Sequence, residues 1–551
     1  MATNILSIGQ SALAAAQVGL STTGNNIANA ATPGYNRQVV VQGAAQPQNY
    51  GFGFMGQGTE VTTVKRIYSE FLGGQVRTAQ STKSGLESYA AEIRQIDNLL
   101  GDPLSGLSPA LQGFFSGMQE MASNPSSIPA RQAALSAGES LTARFQSLAG
   151  RLRDIEQGIN SQITSSVNVI NAYATQIGAL NEAIGRAQGG SGQPANDLLD
   201  QRDQLIMDLN KEIKATTVKQ GDGSVNVFIG NGQPLVVGAK TFGLTTAVLP
   251  SDPSRIEVAY QTSSGPVIVG EGSLTGGKLG GLVAFRSQTL EPAQTALDTL
   301  ASGLASSFNA QHRLGQDLNG ALGGDFFTYS SALGAAGFAV ALSDPREIAA
   351  AAPIRTAAAS ANTGTGAVSA GTVNAPPPPN ANLQQPVTIT FTSATTFDVT
   401  GTGTGNPTGL TYTPGATITY NGWSIALSGA PAAGDTFTVA TNATGIGDSR
   451  NAQLLVGLQT ANTMNGGTTS YQGAYSQLVS EIGNKTRELD VTSSAAGKLF
   501  TEAKLTLESE SGVNLDEEGT NLLRYQQAYQ AAGKVMQIAS QMFDVLLSLG
   551  N

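Results

Sequence analysis

Both ends of the chain carry seven-residue apolar repeats, and no other feature restricts its fold as much. Near the start, Leu6, Leu13, Leu20 and Ile27 recur every seven residues, with Gly9, Ala16, Thr23 and Ala30 at the second seam position. Near the end, Leu522, Tyr529, Met536 and Phe543 form one series, and Tyr525, Ala532, Ala539 and Leu546 form the other. Such a repeat places its members on one narrow stripe of a helix. The spacing therefore predicts a helix from about Asn4 to Asn29 and another from about Glu518 to Leu549. Small residues on the first would allow close helix contact.

Thr32-Pro33-Gly34 stops the first helix, because the residue before proline is pushed out of the α region and glycine permits a turn. Residues 38–41 and 58–64 then read as extended segments around the glycine-rich stretch YGFGFMGQG. Asn514 and Asp516 stand beside acidic residues, as a helix start requires.

Charge decides what the stripes are for. Arg37 is the sole formal charge in the first 59 residues, and the polar face of the first helix carries no Lys or Glu. Helices of a solvated monomer use charge for solubility. An uncharged polar face suits lateral packing among repeated copies, where an unpaired buried charge is costly. Self-complementary surfaces that do not close on themselves build helical arrays. Ordinary bundle helices within one monomer are the plainer reading, and the missing charge weighs against it. With such narrow stripes, both ends are expected to be largely disordered in the free monomer and to order on assembly.

Within this region Arg37 should pair with a carboxylate, Glu517 or Glu518, or with backbone carbonyls. Asn25, Asn26 and Asn29 read either as helix-end caps or as amides bridging neighbouring subunits. Pro33 and Gly34 shape the turn, and Tyr35 packs as an amphipathic anchor.

Composition closes off other classes. The 551 residues allow three or four domains, and the net charge is −10 with only 12% charged residues. So few basic residues speak against nucleic acid, whose phosphates need a basic stripe. There is no Cys, which excludes disulfide and thiolate chemistry, and His312 is the one histidine. Asp317, Asp325 and Arg313 lie near His312, but catalysis needs several converging groups, so His312 reads as packing. The stretch DLNGALGGD also misses the calcium-loop spacing. No cofactor or metal is expected. A secretory signal is not expected either, and no apolar run reaches the length of a transmembrane helix, about 18 residues. Membrane insertion is therefore not expected, and the chain reads as cytoplasmic unless another export route exists.

Between the ends the character changes. From about Ser69 to Asp102-Pro103 the pattern reads as a long surface-exposed helix, with shorter helical pieces from Pro109 to Met121 and a turn at Asn124-Pro125. A third long helix spans Pro129 to Arg186. A run from Asp197 to Ile213 follows, with Asn196 or Asp197 suited as its cap. Residues 450–464, 471–490 and about 498–510 are again helical. Residues 216–355 alternate, with a hairpin signal at Asp222-Gly223, extended pieces at 256–260 and 266–269, and a helical run over 281–306. Residues 356–446 hold only two charges, Asp398 and Asp435, and alternate as a small β-sandwich in which Trp423 is core. TAAASANTGTGAVSAGTV reads as its disordered lead-in, and the prolines from Pro376 as a stiff linker or edge.

The fold class expected is multidomain: an α-helical, coiled-coil-like terminal domain and a helical second layer, with a central α+β domain and an inserted all-β domain. The boundaries are 1–65 with 511–551, 66–215 with 447–510, 216–355, and 356–446.

The stretch NNIANAATPGYNRQ, Asn25 to Gln38, resembles the N-terminal signature of axial proteins of the bacterial flagellum, the rod, hook and hook-associated subunits. SGVNLDEEGTNLLRYQQAYQAAGKVMQIASQMFDVLLSL at the C-terminus and FNAQHRLGQDLNGALGGDFF from Phe308 to Phe327 narrow it to the hook-associated subunits of the hook–filament junction. The resemblance covers residues 1 to about 350 and 447 to 551. It implies a structural subunit, self-associated in a ring or helical zone between hook and filament, extracellular, and exported unfolded through the flagellar type III channel. Implied partners are the flagellar hook protein, the second hook–filament junction protein, and a cytosolic export chaperone that masks the C-terminal helix at Leu522, Tyr529, Met536 and Phe543. Another axial subunit, hook or distal rod, is the alternative within this class. A secreted adhesin, suggested by the Thr-rich insert, is the alternative outside it.

Overall fold

The computed structural model describes residues 2–102, 106–250 and 252–549. Its α-helices are α1 (Ala2–Ala28), α2 (Glu70–Gly101), α3 (Leu107–Ser123), α4 (Ile128–Ser191), α5 (Asn196–Glu212), α6 (Gly277–Phe285), α7 (Glu291–His312), α8 (Arg450–Gly457), α9 (Tyr471–Ser511) and α10 (Leu515–Leu549). Pro103 and Asn551, used as boundaries in the sequence, lie outside the described residues. The chain packs as two units, residues 1–92, 157–287 and 486–551 in the first, and 93–156 and 288–485 in the second. The segment 216–355, expected as one α+β domain, is thus shared between the two units.

In the first unit, Gln38–Ala44 and Thr59–Arg66 pair as an antiparallel ribbon. Two small antiparallel sheets follow. One joins Ala215–Lys219, Val225–Ile229, Gln233–Val237 and Lys240–Thr241, and its first turn holds Gly223 at φ +82°, as the Asp-Gly signal requires. The other orders Gly265–Ile268, Asp252–Thr262 and Leu244–Leu249. Three asparagines of α4 hold these sheets through backbone groups. Asn160 donates to Ser254 O (2.7 Å), Asn171 to Leu244 O (2.8 Å), and Asn181 to Val225 O and Gly238 O (2.8 Å each). Their near three-turn spacing puts them on one helix face. Helices α2 and α6 approach so closely that a Cβ on Gly281 would lie 2.2 Å from Gly85 O. The edge of Tyr89 meets Phe285 beside this crossing.

The second unit is built around aromatic rings. Phe114, Phe308, Phe326 and Phe327 pack with centroids 4.7–5.8 Å apart, and Phe327 continues to Phe338 at 4.8 Å. Asn309 secures the Phe pair. Its amide donates to Phe327 O, and its oxygen accepts from Phe326 N and Phe327 N. His312 is fully buried, with Nδ1 2.8 Å from Gly324 O while Nε2 accepts from Ala349 N at 2.9 Å. An accepting Nε2 fixes the neutral tautomer with its proton on Nδ1, and burial lowers the pKa to about 4. Asp317 closes the DLNG turn by accepting from Asn319 N and Ala321 N. This segment is packing and turn chemistry, as expected.

The inserted region forms two sheets. Ile354–Ala358, Thr436–Thr441, Val387–Phe391, Thr396–Thr400 and Leu410–Thr411 make the first, and Trp423–Ser428 centres the second. Val387, Ile389, Phe391, Val399, Phe437 and Trp423 fill the space between them. The lead-in expected to be disordered instead supplies Thr356 to Ala358 of the strand Ile354–Ala358, and the pairs Ala367–Val368 and Thr372–Val373, to these sheets. Its Ser, Thr and Gly residues hide the strands because backbone pairing, not side-chain alternation, holds them.

Other elements differ too. The helix expected over 450–464 ends at Gly457, and 471–490 and 498–510 are one helix, α9. Helix α2 is not simply surface-exposed, since Ile93, Ile96 and Leu100 are buried. The α5 cap is Ala195, without a side-chain bond. Asn196 and Asp197 are drawn away to the ribbon instead.

Candidate assembly interface

Helix α1 packs on α10. The inner seam of α1 follows small residues: Gly9, Ala16 and Thr23 of the second series are buried together with Gly19, which belongs to neither series, while Ala30 lies beyond the helix end and is exposed. Ala532 and Ala539 of α10 are buried, with Tyr525 beside them. A Cβ on Gly19 would lie 2.5 Å from the Tyr525 ring, and one on Gly9 2.9 Å from the Met536 sulfur. The second position of the repeat thus sets the contact. Close approach pushes Leu6, Leu13 and Leu20 to the half-buried flank, and Ile27 is exposed. On α10, Met536 is half-buried, whereas Leu522, Tyr529 and Phe543 are exposed together with Leu523, Ile538 and Val545. The Leu546 side chain lies outside the described residues.

These contacts correct one expectation. Sequence stripes suggested ends without an adequate partner inside one chain, yet each helix has the other. What the pair leaves open is apolar surface on two sides of α10, with Leu522, Tyr529 and Phe543 along one and Ile538 and Val545 along the other.

At the C-terminal end of α1 a polar clasp fixes the turn. Asn26, 1% exposed, uses its full capacity. Its amide donates to Gln38 O (2.8 Å) and Glu518 Oε2 (3.1 Å), and its oxygen accepts from Gln38 N (2.9 Å) and the Tyr35 hydroxyl (2.8 Å). Asn25 donates to the Tyr35 hydroxyl, and Asn29 donates to Asn25 O on the helix end. The cap reading therefore describes Asn29, while Asn26 ties three elements of its own chain. Arg37 meets both expected partners, Glu517 at 2.6 Å and Glu518 at 2.8 Å. Pro33 is exposed, and Gly34 turns at φ +79° beside Gln204, where a Cβ would lie 2.8 Å from the Gln204 amide oxygen. Tyr35 is half-buried, and burial with the nearby carboxylates Asp197, Asp200 and Glu518 pushes its pKa up to about 12. The hydroxyl thus stays protonated and able to donate.

Helix α5 completes the clasp, a role that sequence reasoning missed. Asp200 accepts from Asn36 N (3.0 Å), Asn36 Nδ2 (2.6 Å) and Arg66 (2.7 Å), while Arg66 also reaches Asp203 (2.7 Å). Asp197 accepts from Gln38, and Asn196 donates to Val64 O. Burial raises the Asp200 pKa, and its bonds from Asn36 and Arg66 draw it back. The i, i+3, i+6 spacing of the three aspartates is visible in the sequence, but it equally describes a solvated helix face.

Among the described residues, no group of three His, Cys, Asp or Glu could hold a metal ion. No described helix is long and apolar enough to cross a membrane. The geometry is that of a structural joint.

Comparison with known proteins agrees. Residues 93–327 match the model of the flagellar hook-associated protein FlgK helical domain. Residues 6–36 match that of the flagella basal body rod protein, and 507–549 that of the flagellar basal body rod FlgEFG protein C-terminal region. The flagellar hook-associated protein 1 of Escherichia coli is 34% identical over 99% of this chain and its own whole length. That of Salmonella typhimurium is 36% identical at the same coverage. The solved structure of the flagellar hook junction protein FlgK from Burkholderia pseudomallei is matched over 80% of this chain and all of its own, at TM-score 0.73 and 30% identity. The chain belongs to the flagellar hook-associated protein 1 family.

Proposed function

We propose that this chain is a structural subunit joining hook to filament in the bacterial flagellum, and that copies assemble through the terminal module of residues 1–65 with 511–551. The observation that carries the assembly reading is the apolar surface left open on two sides of α10, displayed by a helix already fixed to α1 and to the Arg37–Asn26–Glu518 clasp. A single two-helix pair leaves Tyr529, Ile538, Phe543 and Val545 facing water. Packing against neighbouring copies would remove that apolar area from water at about 25 cal/mol per Å².

Around this module the chain reads as a helical second layer, a central α+β part and an inserted all-β module. The hook protein would bind on one side and the second junction protein on the other. A cytosolic chaperone would cover Leu522, Tyr529, Met536 and Phe543 until the unfolded chain leaves through the type III channel.

Deletion of the gene tests the function. Intact hooks, no attached filaments and unpolymerised flagellin in the medium are expected, while normal filaments would end the reading. Trimming residues 536–551 tests the module: incorporation should be lost while circular dichroism and thermal unfolding show the rest still folded. Equal incorporation would refute the terminal-helix mechanism.

A further inference from the structure

The ribbon after the ATPGY turn continues into an arm. Its root lies on α1, where Thr59 N donates to Ser11 Oγ and Ala45 N donates to Gly58 O. Beyond that root, Gln48–Asn49 pairs with Phe54–Met55 and the tip is closed by Tyr50 N donating to Gly53 O (3.0 Å). A Cβ placed on Gly51, Gly53 or Gly56 would meet nothing within 4 Å. Tyr50 stacks on Phe52, and Phe52 and Phe54 are 79% and 72% exposed. A formed hairpin that displays its aromatic side chains to water is an unusual use of apolar surface.

The same unit holds a matching depression. Between α2 and α9, Gly74, Thr78, Ala79 and Ala496 line a groove flanked by Phe71 and Leu499, which are 72% and 62% exposed. Phe52, Phe54 and Phe71 are the three most exposed large apolar side chains among the described residues. Charge agrees as well. Residues 38–59 carry none, and Glu70 at the groove is held by Arg77 (3.0 Å) and Lys219 (3.5 Å). No residue of the arm lines the groove of its own chain.

We infer that the aromatic tip of one copy, Phe52 and Phe54, docks in the α2–α9 groove of a second copy of this chain. Two different patches on one chain make a head-to-tail contact, which repeats into a ring or helical zone and does not stop at a pair. The inference rests on the junction reading and gives it a second, peripheral contact outside the terminal helices.

The chain has no cysteine, so engineered ones report without background. A strain producing F52C together with A79C should yield, from oxidised hook–filament preparations, a ladder of disulfide-linked multimers that collapses on reduction. Either single variant should give no ladder. Linkage only within one chain, linkage only to a different flagellar protein, or no linkage would each overturn the inference. F52S with F54S keeps the comparison open should the cysteine pair misfold. It should retain the parent melting temperature and lose filaments under shear, and unchanged retention would count against docking. Filaments that depend on the gene but show neither effect would leave the junction reading standing and remove this contact alone. Normal filaments in the deletion strain would remove both.

Discussion

Arg37 and His312 show what a lone residue type can disclose. Arg37, the only charge in its stretch, was expected to pair with Glu517, Glu518 or backbone carbonyls, and it meets both glutamates. Glu518 is buried and also accepts from Asn26, whereas Glu517 is exposed. Reversal of Arg37 to Glu should therefore destabilise the module by about 1–3 kcal/mol in denaturant unfolding, as a buried carboxylate loses its partner. Glu517→Arg should restore part of this loss, and Glu518→Arg none. Asn26 was not legible in the same way. Its partners lie 9, 12 and 492 residues away, and an Asn near a helix end has a local explanation that ends the search too soon. His312 gives a pH dependence. Its folded pKa of about 4 lies below the ordinary 6.5, so folding favours the neutral form. The stability this supports is complete above pH 6.5 and lost as the pH falls through 4, by about 3 kcal/mol. Urea titrations between pH 7 and 4 should show that decline, and His312→Gln should reduce it.

The helices were legible as elements and only partly legible as surfaces. Seven-residue spacing located α1 and α10, and the small series with Gly9 faces Met536 as close contact requires, but Gly19, which meets Tyr525, belongs to neither series. Gly19→Val should push the helices apart, costing about 1–3 kcal/mol. The expected readout is lost cooperativity of the terminal module in hydrogen exchange, with the β-rich insert unaffected. Asn196 and Asp197 mark the opposite failure. Their local chemistry suits a cap, but the ribbon offered Val64 O and the Gln38 amide, and tertiary partners took precedence. The strands of the lead-in were missed for a related reason, because residues 356–373 lack apolar alternation.

At the scale of the molecule, composition separated the ends and the insert from the rest but could not place the division between units. That division falls at residues 92/93, 156/157, 287/288 and 485/486, three of them inside continuous helices where no change of residue type is needed. The insert is different. Its chain enters and leaves on adjacent antiparallel strands, with Ile354 opposite Thr441. Trp423, the only tryptophan, is fully buried in its core. Tryptophan fluorescence therefore reports this region, while far-ultraviolet dichroism reports the helices. Thermal melts by the two probes should not coincide, and coincident curves would show one cooperative body.

The partnership of α1 with α10 carries a timetable. Every other described helix and strand lies between them in chain order, so a polypeptide delivered from one end presents one of the two helices long before the other exists beside it. Every intervening part can settle meanwhile. The joint can thus close only after every element between the two helices has been delivered.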